Sequence, residues 1–145
     1  MDKAFEIVLV EDNADDEELI LHTLQKHHLA NRIHVVRDGA EALDLLLRPD
    51  DKTVNKSQLK LVLLDLKLPK VDGLEVLRRL KNDPKTKAIP VVVLTSSAAA
   101  QDIVKSYQLG VNGYVAKPID FAQFTEAVRQ LGLYWLAVNQ PPHNE

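Results

Sequence analysis

Five short apolar runs constrain this chain more than any other feature of its sequence: Phe5 to Val10, Ile33 to Val36, Lys60 to Leu64, Pro90 to Thr95 and Gly113 to Ala116. Several are unbroken stretches of valine, isoleucine and leucine. A strand with one wet face alternates apolar and polar residues, whereas a strand covered by helices on both faces is apolar throughout. The runs therefore predict parallel strands in a central sheet.

Helical patterns lie between them. Leu74, Leu77 and Leu80 mark one apolar stripe, and Phe121, Phe124, Val128 and Leu131 another. Asp38-Gly39-Ala40 marks entry to the second helix and Asp72-Gly73 entry to the third, while Asp120 is suited to cap the fifth. Five strand-helix repeats in strict alternation imply right-handed crossovers and an α/β doubly wound sheet.

At 145 residues, the chain has the length of one domain, expected over residues 1–132 with a C-terminal tail at 133–145. Its hydrophobic share of 46% and charged share of 27% are those of a soluble globular protein. Runs such as Ile7 to Val10 and Val91 to Leu94 fall far short of the roughly 20 apolar residues of a membrane span. Met1-Asp2-Lys3-Ala4 leads directly into the first strand with no signal peptide, so a cytoplasmic protein is expected. The absence of cysteine excludes disulfides, thiolate metal sites and a cysteine nucleophile. A net charge of -3 argues against a broad basic face for nucleic acid and favours a protein partner.

In doubly wound sheets, chemistry collects beyond the carboxyl ends of the strands. Glu11-Asp12 follows the first strand, Asp65 ends the third, Thr95 ends the fourth, and Lys117-Pro118 ends the fifth. Taken singly, these have bland readings: Glu11-Asp12 capping the first helix, Thr95 capping a strand end, Lys117 solvated. Their convergence on one edge changes the reading. Carboxylates about 4 Å apart repel by about 4 kcal/mol per pair at an effective dielectric of about 20, a cost relieved by protonation or a cation. Mg²⁺ prefers oxygen ligands and uses one or two carboxylates, here Asp12 and Asp65. Asp65 leaves a buried strand with a rigid backbone, as a nucleophile should, and a carboxylate can attack phosphorus to give an acyl phosphate. Phosphoryl transfer then asks mainly for orientation and charge neutralisation, which Mg²⁺ and Lys117 would supply. Thr95 offers a hydroxyl to a phosphoryl oxygen, and the small residues Ser96 to Ala100 leave room for the group. A cis bond at Lys117-Pro118 would turn the lysine toward Asp65.

Together, Val8-Leu9-Val10-Glu11-Asp12-Asn13, Leu63-Leu64-Asp65-Leu66-Lys67-Leu68-Pro69, Asp72-Gly73, Leu94-Thr95-Ser96 and Gly113-Tyr114-Val115-Ala116-Lys117-Pro118 resemble the response-regulator receiver family, from Phe5 to about Leu131. The resemblance implies a flavodoxin-like sheet of order 2-1-3-4-5 with five helices. It implies a protein that is no turnover enzyme but accepts phosphate on Asp65 from a histidine kinase, with Mg²⁺-dependent self-phosphotransfer and autodephosphorylation. Glu11 and Asp12 become the acidic metal pocket, Lys67 a metal ligand through its backbone carbonyl, and Thr95 and Lys117 the phosphoryl-sensing pair. Tyr114 takes the place of an aromatic that changes rotamer on phosphorylation; the alternative is a half-buried core tyrosine. Lys67 and Ser97 occupy the positions where receivers often carry acidic or amide side chains that tune water attack. A phosphorylation-dependent protein-binding surface would then carry the output.

The segment Gln130-Leu131-Gly132-Leu133-Tyr134-Trp135-Leu136 through Asn139-Gln140-Pro141-Pro142 resembles that of single-domain receivers paired with phytochrome-type sensor histidine kinases. Its apolar residues suit either a homodimer or partner contact, or packing within the monomer. His22, His27, His28 and His34 lack metal-ligand spacing and are expected at the surface or at helix ends, and Asp50 to Gln58 reads as an extended loop. Two rival functions remain. A haloacid dehalogenase type phosphatase needs a second aspartate where Lys67 stands, and a receiver-like module that never takes phosphate has no use for the complete pocket.

Overall fold

The computed structural model describes residues 6–29, 32–48 and 59–140. Along the chain these form β1 (Glu6–Val10), α1 (Ala14–Lys26), β2 (Arg32–Val36), α2 (Gly39–Leu47), β3 (Leu59–Leu64), α3 (Gly73–Asn82), β4 (Val91–Thr95), α4 (Ala100–Gln108), β5 (Gly113–Ala116) and α5 (Phe121–Gly132). The strands pair in parallel in the order β2-β1-β3-β4-β5, as expected for a flavodoxin-like sheet. Phe5 and the segment Asp50 to Gln58 lie outside the described residues.

Successive strand residues point to opposite faces, and both faces here are apolar. Val8, Val10, Val62, Leu64, Val91 and Val93 meet α2 and α3 through Leu43, Leu46, Val76, Leu77 and Leu80. Ile7, Leu9, Leu61, Leu63, Val92 and Leu94 meet α1 and α5 through Ile20, Leu24, Phe124, Val128 and Leu131. The missing polar alternation is thus a direct result of two helical layers. Phe121 departs from its expected stripe: it is the first residue of α5 and is exposed.

Asp38, Asp72 and Asp120 cap α2, α3 and α5, each accepting from a backbone N–H three residues on, and Asn13 does the same for α1. Such caps contribute about 1 kcal/mol each. No helix among the described residues is long and apolar enough to cross a membrane.

Two features differ from the sequence reading. His34 is no surface residue: it is half-buried on β2, its Nε2 lying 2.8 Å from Oε1 of the fully buried Glu6 on β1. Nor does the ordered fold stop at residue 132, after which the C-terminal tail is expected: Leu133–Val138 continue α5 as a π-helical turn. Leu136 is fully buried in the α1/α5 layer, and its carbonyl accepts from Lys60 Nζ at 3.5 Å. Leu133, Tyr134 and Val138 remain exposed.

At the opposite end of the sheet from the polar edge, Lys81 of α3 donates to Lys87 O (3.1 Å), Ile89 O (2.9 Å) and Asn112 Oδ1 (2.9 Å). It thereby ties α3 to the strands that follow. All three acceptors are neutral, and burial pulls its pKa down to about 8. Unfolding restores the ordinary value, so between pH 8 and about 10.4 the unfolded chain binds more protons at this site and stability rises with pH. Lys81→Met should lose about 1–2 kcal/mol at pH 7, the hydrogen bonds being partly offset by relief of the desolvated charge. Urea denaturation at pH 7 and pH 9.5 should show the deficit widening at the higher pH, where the wild type has recovered the cost of the buried charge.

Candidate functional site

Glu11 and Asp12 follow β1, Asp65 follows β3, Thr95 ends β4 and Lys117 follows β5, and all five meet at the carboxyl edge of the sheet. The backbone fixes their register. Asp65 N–H donates to Val10 O at 3.0 Å, and Lys117 N–H to Thr95 O at 2.6 Å, so each residue is an extension of strand pairing rather than part of a free loop.

Asp65 is buried. Its Oδ1 accepts from Thr95 Oγ1 (2.7 Å) and from Lys67 N–H (3.2 Å), and its Oδ2 accepts from Lys117 Nζ (3.3 Å). Both carboxylate oxygens are therefore oriented. Lys117 Nζ also meets Glu11 Oε1 at 2.7 Å and Asp16 Oδ2 at 2.8 Å. No peptide among the described residues is cis, so the lysine does not need the expected cis bond to Pro118: its backbone pairing with β4 already directs it across the pocket.

Electrostatics follow from burial. Desolvation pushes the Glu11 pKa up to about 7, opposed by the Lys117 hydrogen bond and reinforced by the field of Asp65. Burial works against the Lys117 ammonium too, but hydrogen bonds to Asp16 and Glu11 and the charges of Glu11 and Asp65 outweigh it and raise its pKa. One cation thus faces several acids.

Glu11, Asp12 and Asp65 each present a carboxylate oxygen within 4.8 Å of the others. Glu11 is buried and Asp12 is exposed, so the cluster opens to solvent on one side. An all-oxygen set carrying excess negative charge fits a hard divalent cation. Lys67 is exposed, and its N–H is already committed to Asp65.

A hydrogen-bonded path leaves the pocket toward α4. Ser97 N–H lies 3.5 Å from Thr95 Oγ1, Ser97 Oγ donates to Asp102 Oδ2 (2.6 Å), and Tyr114 OH donates to Ser97 O (2.8 Å). Tyr114 is half-buried against the α2/α3 layer. Sequence reading missed Asp16 and Asp102 altogether. Asp16 follows Asp12 by four residues, a spacing that can bring two side chains to one side of a helix start, and this was the available signal.

The sequence profile of the response regulator receiver domain matches residues 7–129. A probable methanogenesis regulatory protein, FilR2, of Methanothrix harundinacea is 41% identical over 138 residues, covering 95% of this chain and 88% of that protein. The crystal structure of the phosphorylated cyanobacterial phytochrome response regulator RcpA superposes with a TM-score of 0.88 at 42% identity, covering 96% of this chain and 99% of RcpA. The Mn²⁺-bound form of response regulator Rcp1 gives a TM-score of 0.87 at 35% identity, covering 95% and 99%; Rcp1 is a protein of Synechocystis. With the fold, the acidic cluster and these matches in agreement, the chain belongs to the response regulator receiver domain family of two-component signalling.

Proposed function

We propose that this protein is a cytoplasmic response regulator that accepts a phosphoryl group on Asp65 from a sensor histidine kinase, of the phytochrome-like kind suggested by its relatives. The observation that carries the reading is a buried carboxylate held between the Thr95 hydroxyl at 2.7 Å and the Lys117 ammonium at 3.3 Å, beside Glu11 and Asp12. An Asp65 oxygen attacks phosphorus, the phosphorus–nitrogen bond to the kinase histidine breaks with its electron pair leaving on nitrogen, and an acyl phosphate forms. Glu11, Asp12, Asp65 and the Lys67 carbonyl would hold Mg²⁺, which when bound neutralises charge on the phosphoryl oxygens. Thr95 donates to a phosphoryl oxygen and Lys117 pairs with another.

Output would travel through Ser97. A phosphoryl group adds about -1.5 to -2 of charge, drawing Thr95 inward and with it the loop whose carbonyl anchors Tyr114 and whose hydroxyl anchors Asp102 of α4. The protein-binding surface around α4, β5 and α5 is thereby rebiased. The test is intact-mass measurement after incubation with a small acyl phosphodonor. A gain of one phosphoryl group with Mg²⁺, lost on chelation, is expected; no gain with either a small donor or a phytochrome-type kinase sinks the reading.

The exposed Leu133, Tyr134 and Val138 form an apolar strip that we assign to contact with a second copy of the chain. Truncation after Gly132 would also remove the buried Leu136 and damage the core, so surface substitutions isolate the contact. Leu133→Asp with Val138→Asp should convert a dimer to a monomer by light scattering. A monomeric wild type, or a dimer that persists in the variant, removes this assignment.

A further inference from the structure

Lys117 carries more acidic partners than phosphoryl sensing requires. Its three ammonium protons face Glu11 Oε1 at 2.7 Å, Asp16 Oδ2 at 2.8 Å and Asp65 Oδ2 at 3.3 Å. Asp65 is the most distant of the three. Glu11 and Asp65 belong to the cation-binding cluster with Asp12, but Asp16 does not. Asp16 stands on the first turn of α1, where its backbone N–H is fixed by the Asn13 cap at 2.9 Å, so its carboxylate is presented from a rigid platform. The lysine end is nearly closed off from solvent, its side chain 8% exposed against 27% for Asp16. The pair therefore forms at the rim, where it is partly shielded and not merely a wet surface contact.

We propose that Asp16 is a positioning residue that holds Lys117 toward α1 in the resting protein and competes with the incoming phosphoryl group for it. The inference rests on Asp65 being the phosphoacceptor. When Asp65 carries the phosphoryl group, a phosphoryl oxygen offers Lys117 a stronger anionic acceptor than the carboxylate oxygen at 3.3 Å. The phosphoryl oxygens stand beyond the Asp65 carboxylate, which Lys117 already reaches only at 3.3 Å, so closing on one of them carries the ammonium away from its acceptor on α1 and lengthens the Asp16 contact. Asp16 also adds one negative charge beside a site that must admit an anionic donor. Both effects act in one direction: Asp16 slows capture of the phosphoryl group and, by releasing Lys117, gives α1 a way to register phosphorylation.

Removing only its charge, Asp16→Asn, should accelerate labelling by a small acyl phosphodonor about fivefold, the size of effect that loss of one partly exposed ion pair gives. Asp16→Glu retains an acid with a longer reach and should stay within about twofold of wild type. Asp15→Asn removes the same charge from the adjacent exposed residue, which makes no contact with Lys117 among the described residues, and should change the rate less than twofold. The ammonium proton signal of Lys117, read by NMR without any donor, should shift in Asp16→Asn and not in Asp15→Asn. A wild type that takes no label overturns the phosphoacceptor reading and this inference with it. A wild type that labels normally, together with an Asp16→Asn rate at or below wild type, an Asp15→Asn rate equal to that of Asp16→Asn, or an unmoved Lys117 signal, overturns the inference alone.

Discussion

Asp65→Asn is expected to abolish phosphoryl labelling, lowering the rate with a small acyl phosphodonor on the order of a hundredfold or more, because a neutral amide oxygen is a poor nucleophile. The substitution preserves shape. An amide oxygen placed where Oδ1 stands still accepts from Thr95 Oγ1 and from Lys67 N–H, so the pocket's framework survives. The amide NH₂ then stands where Oδ2 accepted from Lys117 Nζ at 3.3 Å, so that contact is lost and Lys117 keeps Glu11 and Asp16 as its acceptors. Removing a buried negative charge from a cluster that already contains Glu11 and Asp12 offsets the loss, and the folded state should change little. Asp65 is among the causes that raise Glu11, so its removal should lower the Glu11 pKa from about 7, although burial, the larger cause, remains. Intact-mass measurement in parallel with the wild type checks the rate, and urea denaturation checks the fold. Equal labelling of the two proteins would mean that another group, such as the exposed Asp12, takes the phosphoryl group.

The sheet was legible because burial on both faces writes itself into the sequence as unbroken apolar runs; β5 was placed to the residue and the others to within one residue at their starts. Helices with an aspartate cap were equally visible. By contrast α4 could be inferred only from the rhythm of the repeats, since Ala99 precedes it without a side-chain cap and its Val104 and Tyr107 are exposed. The five residues of the polar edge were legible for a similar reason: each ends a strand, and topology alone brings strand ends together. Asp16 sits on a helix and meets Lys117 across 101 residues of sequence, so no local pattern announces the pair. The same holds for His34, whose partner Glu6 is found only once the register of β1 and β2 is known. For Leu136 the choice between an intermolecular contact and packing within the monomer stayed open in the sequence, because a π-helical turn shifts the side-chain spacing away from the pattern that marks an ordinary helical stripe.

The Asp-Gly pairs that open α2 and α3 were read as helix entries through their aspartates, but the glycines matter for space. A Cβ on Gly73 would lie 2.3 Å from Asp65 O and 2.5 Å from Leu66 Cα, and one on Gly39 would lie 1.8 Å from Val71 O. These neighbours are backbone, so no side-chain rotation relieves the contact. At Gly73 the approach is held further by its own N–H, which donates to Leu66 O at 2.9 Å. Gly73→Ala must therefore push α3 away from β3 or displace the backbone of Asp65 itself. Alanine's better helix propensity returns at most about 1 kcal/mol, while overpacking against fixed backbone costs about 1–3 kcal/mol and occasionally more. A net loss of about 1–2 kcal/mol is expected, measured by urea denaturation, together with slower phosphoryl labelling because the Asp65 carboxylate leaves its alignment with Thr95 and Lys117. Gly113→Ala is the matched comparison: its Cβ would meet Val92 Cγ2 at 3.5 Å, an ordinary contact, and should cost less than about 1 kcal/mol. If Gly73→Ala proved as stable as Gly113→Ala and labelled at the wild-type rate, close approach of α3 to the backbone of Asp65 could not be what fixes the nucleophile in place.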